Sequence, residues 1–596
     1  MKHRYTICPH CGCGCGLYLV EQDGAIGGVT ASATHPFSSG QLCARGWTCH
    51  QLLDAGTRID APLLRSGAVL APASWDQALG HAAKRLQAVR DKHGPGSIGV
   101  IASPRLTTGE LLALRAFARG VLRTPHCDSA ARLSGGAVSF PRAARFADLE
   151  HSDLIVVIGA NPIEDNPVLG ARIMALCKPR QDRPYASPDL SHTVAGDPVP
   201  LAVVCSRRSA LSALAQPAIK PRPGSELPVL AALLKLLVEN HHLACDDPAF
   251  AKLKENLAKH TVASLLNGTA VTAQSVELLA RRLAGARSAV LVTGREIAQA
   301  PAAGSGTAAL ANLALLMGER LAWLPAAAAA NERDALRILT ASGGMSYLEM
   351  IDALRGRKLR ALVLAGEDPL RTLPGRDEVA AALGKAEFVL AIDAWSGPSH
   401  DHAGVVLPLA LSLEQEGSFR SLDGTEQPFA RAARPAGSSQ PLDAIMAKLA
   451  AQLRTRLEID RTVVADQPPG IDPLKTVAVP AAGDAIMLEL GSAYPHLAGG
   501  EALTMNTPHL AREFSGGYIE LHPEDIARLG VRTGWKVKVT SAAAAIQVPV
   551  QANEAVLKGT AFMPLHFGGN ALAPFAYDAR LKTPVLRGIP VTVEKT

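Results

Sequence analysis

Apolar runs that end at a loop alternate with helical stretches through most of the chain. The clearest unit is "LIVVIGANPIEDNPVLGARIMAL", which predicts a strand over residues 154–158, a loop from Gly159 to Pro167, and then a helix. "LAVVCSRRSAL" predicts another strand, which ends near Cys205. Similar units end at three later positions, near Gly294, Gly366 and Asp393. This alternation predicts an α/β fold with parallel sheets.

Ligands of such sheets lie beyond the carboxyl ends of the strands, where glycine-rich turns and helix N-termini receive phosphate. The loops at Gly159, Gly294, Gly366 and Asp393 are therefore candidate cofactor contacts. One such loop is a weak indication, because every α/β fold needs these turns. Their succession along the chain strengthens the prediction.

The hydrophobic pattern changes near the C-terminus. Residues 466–485 have the proline and glycine density of a linker. Short β-rich segments with frequent turns follow over residues 486–596, as in "GYIELHPEDIARLGVRTGWKVKVTS". This last segment is therefore predicted to form a β-barrel.

Length and charge narrow the class of protein. A chain of 596 residues is too long for one hydrophobic core, and at roughly 100–200 residues per domain it predicts several units. The net charge of +6 is small and dispersed, which argues against binding to nucleic acid or anionic lipid. No apolar stretch predicts a direct membrane span. "MKHRYTIC" leaves no room for a secretory leader, so we expect a cytoplasmic protein, although attachment to a membrane-bound partner stays open.

Six of the ten cysteines lie in the first 49 residues. In a reducing compartment, clustered cysteines are more often metal ligands than disulfides. The spacing Cys8-x2-Cys11-x3-Cys15, followed by Cys43, supplies four thiolates and predicts a 4Fe–4S cluster. A structural zinc site is the alternative, but it would normally show two C-x2-C pairs. Cys13 is left over, and the later cysteines are expected to be buried apolar residues.

The phrases "CPHCGCGCGLYLVEQDG" and "HPFSSGQLCARG" resemble the N-terminal segment of the molybdopterin oxidoreductase superfamily, especially its cytoplasmic formate dehydrogenase alpha subunits. The large iron–sulfur subunit of respiratory complex I is a second relative. "GANPIEDNP", "LAGEDP" and "HDHAGVVLPLALSLEQEGSFRSLDGTEQ" are similar to later loops of the family, so the resemblance runs nearly end to end. It implies a 4Fe–4S domain, two interleaved molybdopterin-binding α/β domains, a linker and a double-psi β-barrel, at residues 1–58, 59–465, 466–485 and 486–596.

The resemblance also implies a bis(molybdopterin guanine dinucleotide) cofactor with Mo or W. Arg45 lies where formate dehydrogenases have a lysine between the cluster and the pterin. The other candidate cofactor-binding residues follow from matching loops and strand ends: Gly159, Asn161, Glu164, Arg207, Gly224, Glu226, Gly294, Gly366, Asp393, His566 and Asn570.

The catalytic positions match less well. Formate dehydrogenases place selenocysteine or cysteine on the metal, followed by histidine, whereas "SAARLSGGAVSF" has Ser134 and then Gly135. Cys127 lies seven residues too early for a simple alignment. The family's catalytic arginine falls in "LPAAAAANERDAL", where Arg333 is the candidate. Ser134 and Arg333 are thus the predicted catalytic residues, with the serine oxygen or an inorganic ligand replacing the thiolate.

Three functions follow from this pattern. The first is a formate dehydrogenase-like oxidoreductase that oxidises formate, or reduces CO2, at a pterin-bound metal. The second is a complex-I-like electron-transfer subunit that keeps the cluster and has lost pterin catalysis. The third is a scaffold with a structural cluster. The recognisable pterin loops favour the first.

The partner is predicted from motifs that the sequence lacks. It shows no G-x-G-x-x-G nucleotide fingerprint and no second cysteine cluster. Electrons are therefore expected to leave through an iron–sulfur or diaphorase subunit that docks near residues 1–55.

Overall fold

The computed structural model describes residues 1–135, 140–178, 197–340, 343–463, 470–475, 477, 485–497 and 501–596. Its strands in chain order are β1 Lys2–Ile7, β2 Gly16–Gln22, β3 Ala25–Ala31, β4 Leu63–Ser66, β5 Val69–Pro72, β6 Ile98–Ala102, β7 Cys127–Ser129, β8 Leu154–Ile158, β9 Leu201–Val204, β10 Ala218–Ile219, β11 Ala289–Thr293, β12 Leu321–Pro325, β13 Ala361–Ala365, β14 Phe388–Asp393, β15 Val405–Pro408, β16 Gly417–Arg420, β17 Glu426–Phe429, β18 Ile486–Gly491, β19 Ile519–Leu521, β20 Lys536–Thr540, β21 Ala545–Ala552, β22 Thr560–Pro564 and β23 Arg587–Lys595.

Helices connect and cover these strands. The described α-helices are Ala44–Trp47, Trp75–His93, Thr108–Ala116, Arg132–Gly135, Asp148–His151, Pro162–Asp165, Pro167–Cys177, Glu226–Glu239, Phe250–Ala258, Val262–Leu266, Ala273–Gly285, Arg295–Ala298, Ala303–Met317, Glu332–Leu339, Tyr347–Arg355, Pro369–Thr372, Arg376–Leu383, Leu442–Gln452, Glu501–Met505, Pro508–Glu513 and Pro523–Leu529. Within the described parts of the chain, no helix is long and apolar enough to cross a membrane.

Two sheets form the body, and their chain segments interleave. The five-stranded sheet has the order β10-β9-β8-β11-β12 and is parallel throughout. The seven-stranded sheet has the order β5-β4-β15-β14-β13-β6-β7, with strands from before and after the five-stranded sheet. Every residue of β6, β8, β11 and β13 is buried, as expected for parallel strands covered by helices on both faces. The predicted α/β fold is confirmed.

The structure adds a feature that the sequence pattern did not indicate. Strands β4 and β5 extend the seven-stranded sheet with antiparallel pairing, β4 against β15 and β5 against β4. Both strands are short and only half-buried, so they lack the long apolar run of the central strands. Their weak pattern explains why the sequence predicted only parallel pairing.

The two ends of the chain form smaller β units. Residues 1–31 make the antiparallel sheet β1-β2-β3. The C-terminal strands close into a barrel of order β18-β22-β19-β21-β20-β23, which confirms the predicted barrel. Most of the predicted linker, residues 466–485, lies outside the described residues. Within it, Ile471 and Leu474 are buried in the core beneath the five-stranded sheet.

Candidate functional site

A cavity of about 290 Å³ lies beside the N-terminal sheet and is lined by cysteines. We call it the cluster cavity; its lining residues are Cys8, His10, Cys11, Cys13, Cys15, Leu42, Cys43, Gly46, Pro167 and Val168. The loop closes because the Cys8 amide donates to the Cys15 carbonyl at 2.9 Å. Gly14 has a φ of +58°, and a Cβ there would lie 1.9 Å from Gln427 Oε1. The positive φ therefore favours glycine at that turn, and any side chain there would also displace Gln427.

The cluster cavity brings together the four predicted ligands and also two further polar groups. Cys13 lies beside the thiols of Cys11 and Cys15. His10 is buried, and its Nε2 has no hydrogen-bond partner. Cys49 is fully buried near Cys8 and Cys43, although it is not part of the lining. Among the described residues, no three His, Cys, Asp or Glu side chains converge as ligands of a single ion.

Arg45 lies between the cluster cavity and the body of the protein. Its side chain is fully buried, and Nη2 donates to the carbonyl oxygens of Asp165 at 2.9 Å and Glu164 at 3.3 Å. Its guanidinium lies 5.6 Å from the ring centroid of Tyr494. Nε and Nη1 have no hydrogen-bond partner. Arg45 thus lies between Cys43 and the backbone of Glu164 and Asp165, which line one of a second group of larger cavities.

The largest of these, which we call the wide cavity, has a volume of about 870 Å³ beyond the ends of β6, β13 and β14. Two predicted residues line it, Gly366 and Asp393. Gly366 has a φ of +64°, and Asp393 accepts hydrogen bonds from the amides of Ala394 and Trp395. The wide cavity reaches the surface at Ser396, which is exposed.

A second cavity of about 420 Å³ lies between the five-stranded sheet and the barrel, and we call it the barrel-side cavity. Its predicted residues are Asn161, Glu164 and Arg207, and Asn161 Oδ1 has no hydrogen-bond partner. Arg207 is held by Glu164 at 2.8 Å and by Glu520 at 2.9 Å. All of these residues except Glu520 line the cavity.

Four more predicted residues lie around the barrel-side cavity without lining it. Glu226 binds Arg587 of β23 at 2.8 Å, and a Cβ on Gly224 would lie 3.4 Å from the Cα of Gly588. Gly159 and Gly294 touch each other, since a Cβ on Gly294 would lie 2.7 Å from the Gly159 carbonyl. These glycines let the two strand ends and the barrel approach closely.

Between these two cavities lies a third, also of about 420 Å³, which contains Ser134 and which we call the serine cavity. It shares Arg105 and Thr372 with the wide cavity, and Arg295 and Gln299 with the barrel-side cavity. The rest of its lining is mainly apolar: Pro104, Ala130, Leu133, Ala328, Ala329, Leu565, Pro584 and Leu586. Two arginines in a mostly apolar cavity suit a small anion.

The structure does not bring Arg333 to Ser134. Arg333 Nη1 donates to the Leu422 carbonyl at 2.5 Å, and Arg333 does not line the serine cavity. Asn570 donates to the carbonyls of Leu370 and Leu373, which ties the barrel to the body. Neither side chain lines any of the cavities described above.

His566 follows Leu565 of the serine cavity and lies 4.9 Å from the ring of His496. Both of its ring nitrogens are buried without a hydrogen-bond partner. Burial lowers the pKa of His566 to about 3, so the imidazole is neutral at physiological pH.

Sequence reasoning missed Arg105, Arg295, Thr372 and two buried carboxyls. Arg105 follows β6 in "IASPRL", and Arg295 follows Gly294 in "TGREI". The rule that ligands lie beyond strand ends would have found both arginines. Burial raises the pKa of Glu332 to about 7 and that of Glu367 to about 8. No sequence pattern signals these two shifts, because they arise from packing.

Three family profiles match successive parts of the chain. The Molybdopterin oxidoreductase Fe4S4 domain matches residues 1–55, Molybdopterin oxidoreductase matches residues 58–452, and the Molybdopterin dinucleotide binding domain matches residues 495–590. The first region contains the cysteines of the cluster cavity. The second and third together contain most of the lining of the other three cavities.

Full-length relatives agree with these matches. The chain is 25% identical to F420-dependent formate dehydrogenase 1 subunit alpha from Methanococcus maripaludis, over 99% of both chains. It is also 25% identical to an NADH-quinone oxidoreductase subunit from Rhizobium meliloti, over 94% of this chain and 70% of the relative. The solved structure of acetylene hydratase from Pelobacter acetylenicus has the same fold, with a TM-score of 0.78 over 100% of both chains at 16% identity.

The described residues fit the cofactors of this family. The cluster cavity is lined by thiols that can bind an iron–sulfur cluster. Buried polar atoms of Arg45, Asn161 and His566 have no hydrogen-bond partner, so a polar ligand would satisfy them. The cofactors of the protein are a 4Fe–4S cluster and a molybdopterin guanine dinucleotide. The chain belongs to the molybdopterin oxidoreductase family.

Proposed function

We propose that this protein is the catalytic subunit of a cytoplasmic formate dehydrogenase. The observation that carries the proposal is the serine cavity, which Arg105, Arg295 and Ser134 line together with apolar residues. Arg295 is also paired with Asp165 at 2.8 Å. A carboxylate as small as formate matches two guanidiniums in a cavity of this kind. The formate dehydrogenase subunit of Methanococcus maripaludis, which aligns over nearly the whole chain, supports the same substrate.

In this proposal the protein's residues divide into three tasks. Cys8, Cys11, Cys15 and Cys43 hold the cluster, while the wide and barrel-side cavities receive two guanine dinucleotides. The arginines of the serine cavity orient formate, and its apolar wall excludes water. When bound, the pterin-held Mo or W supplies the two-electron redox centre. Ser134, which lines the serine cavity, would be a candidate oxygen ligand of that metal.

Electrons then have to reach a second protein. We propose an iron–sulfur or diaphorase subunit that docks near residues 1–55, next to the cluster. The relative from Methanococcus maripaludis is itself named as an alpha subunit, which supports a multisubunit complex.

The alternative is an electron-transfer subunit without pterin chemistry. It is favoured by the similarity to the NADH-quinone oxidoreductase subunit of Rhizobium meliloti and by the ion pairs that already occupy Arg207 and Arg587 in the barrel-side cavity. The replacement of the expected cysteine and histidine by Ser134 and Gly135 also favours the electron-transfer function.

Metal and pterin analysis of the purified protein separates the two functions. The formate dehydrogenase proposal expects one Mo or W for every four irons, guanine nucleotide released by acid hydrolysis, and formate-dependent reduction of benzyl viologen. Iron without Mo, W or pterin would establish the electron-transfer alternative. A loaded enzyme that ignores formate would overturn the substrate but leave the pterin chemistry intact.

The role of Ser134 has its own test. If its oxygen binds the metal, Ser134→Ala should abolish formate oxidation while the iron content stays normal. The control is Ser152→Ala, because Ser152 is a buried serine that lies outside the serine cavity. Wild-type activity in Ser134→Ala would exclude the serine as a ligand.

A further inference from the structure

Thr372 and Arg105 form the wall between the serine cavity and the wide cavity, since both residues line both cavities. The Thr372 hydroxyl donates to Glu367 Oε1 at 2.5 Å, and the Tyr347 hydroxyl donates to the same oxygen at 3.1 Å. Glu367 lines only the wide cavity. Thr372 and Glu367 are 8% and 5% exposed, respectively. A buried hydroxyl and a buried carboxyl thus connect one cavity to the other.

The reaction proposed above produces a proton inside the serine cavity. Oxidation of formate breaks its C–H bond and gives CO2, one proton and two electrons, and the pterin-held metal, when bound, would supply the acceptor of the two electrons. The described lining of the serine cavity contains no Asp, Glu or His, and its arginines stay protonated and cannot accept a proton. The proton therefore needs an acceptor outside the serine cavity, on the far side of Thr372 and Arg105.

We propose that Thr372 and Glu367 are the proton exit of the serine cavity. This inference rests on the proposed function, because that reaction supplies the proton. A hydroxyl both donates and accepts, so Thr372 Oγ1 takes up the proton as it passes its own to Glu367. Glu367 then releases the proton along the lining of the wide cavity, beside the guanine dinucleotide proposed to bind there, towards the surface at Ser396.

The surroundings of Glu367 suit a group that binds and releases protons near neutrality. Tyr347 and Thr372 donate to its Oε1, Asp368 is a nearby like charge, and Arg105 is a nearby opposite charge. Burial is the dominant effect and raises the pKa of Glu367 to about 8. A proton relay is most effective when its pKa lies close to the working pH.

A second buried carboxyl serves as the comparison. Glu332 also lies near Arg105, but it accepts hydrogen bonds from the amides of Ala328 and Ala329. It does not line the serine cavity, and none of its hydrogen bonds in the described structure involves a hydroxyl. Glu332 is therefore buried like Glu367, but within the described residues it makes no hydrogen bond to Thr372, the hydroxyl residue that lines both cavities.

Infrared spectroscopy of the purified holoenzyme tests the relay without any turnover. We expect a protonated-carboxyl band that disappears as pH rises through about 8, that Glu367→Gln removes and that Glu332→Gln leaves in place. Thr372→Val should shift this band because it removes a hydrogen bond, whereas Thr372→Ser should preserve it. A band that Thr372→Val leaves unmoved overturns the relay, whether or not the enzyme oxidises formate.

Kinetics give the second readout. Thr372→Val should lower kcat for formate by about tenfold or more with little change in KM, and Thr372→Ser should restore kcat. Iron content and melting temperature establish that each variant folds. Undiminished kcat in Thr372→Val would overturn the relay, while a wild-type enzyme that shows the infrared behaviour but no formate oxidation would overturn the proposed function instead.

Discussion

Arg45 is a buried cation beside the cysteines of the cluster cavity, where an anionic cluster would compensate its charge. It forms no ion pair with Asp or Glu in the described part of the chain, and a buried charge without a partner is strongly unfavourable. Burial alone would lower the pKa of Arg45, but the nearby Cys43 and Cys11 reverse this and leave the pKa above its ordinary value. An anionic cluster on those thiolates is the natural counter-charge.

This arrangement predicts the effect of removing the cation. Arg45→Met should lower the reduction potential of the cluster, because a nearby positive charge stabilises the more negative reduced state. Arg45→Lys should shift the potential less, since it keeps the charge and loses only the geometry. A redox titration followed by EPR measures both values. Equal potentials in Arg45→Met and the wild type would refute an electrostatic role.

At the residue scale, the sequence predicted the residues that belong to a local motif and missed those that only packing brings together. Cys8, Cys11, Cys15 and Cys43 could be named from spacing, and they line one cavity. The resemblance places Arg333 after a run of alanines, and its side chain lies against Leu422 instead. Thr372 matters because two cavities meet at its side chain, and Glu367 matters because it accepts a hydrogen bond from that hydroxyl; no spacing rule predicts either contact.

Among the elements, the turn before helix Glu332–Leu339 depends on a carboxyl. Glu332 Oε2 accepts hydrogen bonds from the amides of Ala328 at 3.1 Å and Ala329 at 3.2 Å. Burial raises the pKa of Glu332 from an ordinary 4.5 to about 7. The folded protein therefore holds a proton that the unfolded chain has lost between these two pH values.

The sign of the pH effect follows from this difference. Because the folded state binds more protons in that window, stability falls as pH rises from about 4.5 to about 7. Glu332→Gln should remove this contribution, with a slope of at most about 1.4 kcal/mol per pH unit. Unfolding midpoints across the window test this, with the exposed Glu554→Gln as control. A variant whose pH dependence equals that of the wild type would contradict the prediction.

A buried arginine is one of the contacts that join the barrel to the body. Arg587 of β23 binds Glu226 of the body at 2.8 Å, Glu489 of β18, and Glu296 at 3.3 Å. Arg587→Met would leave these carboxylates buried and uncompensated, at a cost of about 3–5 kcal/mol. Thermal unfolding and limited proteolysis should show early release of the barrel.

Arg532→Met is the matched control for this element, because Arg532 is exposed on the same barrel. It should melt within about 0.5 kcal/mol of the wild type, as surface substitutions usually do. If Arg587→Met melts like Arg532→Met, the ion pairs do not hold the barrel in place.

Element type was predictable where one pattern dominates. Buried strands such as β8 have continuous apolar runs, and the predicted bounds 154–158 equal Leu154–Ile158. Strands β4 and β5 were missed because these short, half-buried strands at one end of the sheet carry no such run. The closed barrel followed from turn frequency, whereas its strand order depends on long-range pairing that local sequence does not encode.

In the whole molecule three of the four cavities form a connected series. Arg295 and Gln299 line both the barrel-side and the serine cavity, and Arg105 and Thr372 line both the serine and the wide cavity. Arg45 lines none of them, but it joins the cysteine-rich loop to this series through its hydrogen bonds to the backbone of Glu164 and Asp165 at the barrel-side cavity. In the proposed enzyme the cysteine-rich loop relays electrons, and the chemistry belongs to the serine cavity.

The last prediction concerns the cysteine-rich loop and the α/β body, which have separate roles in the proposed enzyme. Cys43 is a half-buried residue directly before helix Ala44–Trp47, and most of the apolar core around the two body sheets comes from residues beyond the N-terminal unit. Cys43→Ser should therefore remove the iron and the visible absorption of the cluster while circular dichroism still shows a folded body. Cys245→Ser, a half-buried cysteine far along the chain, should keep its iron. Loss of all secondary structure in Cys43→Ser would mean that the cluster is needed for the whole molecule to fold.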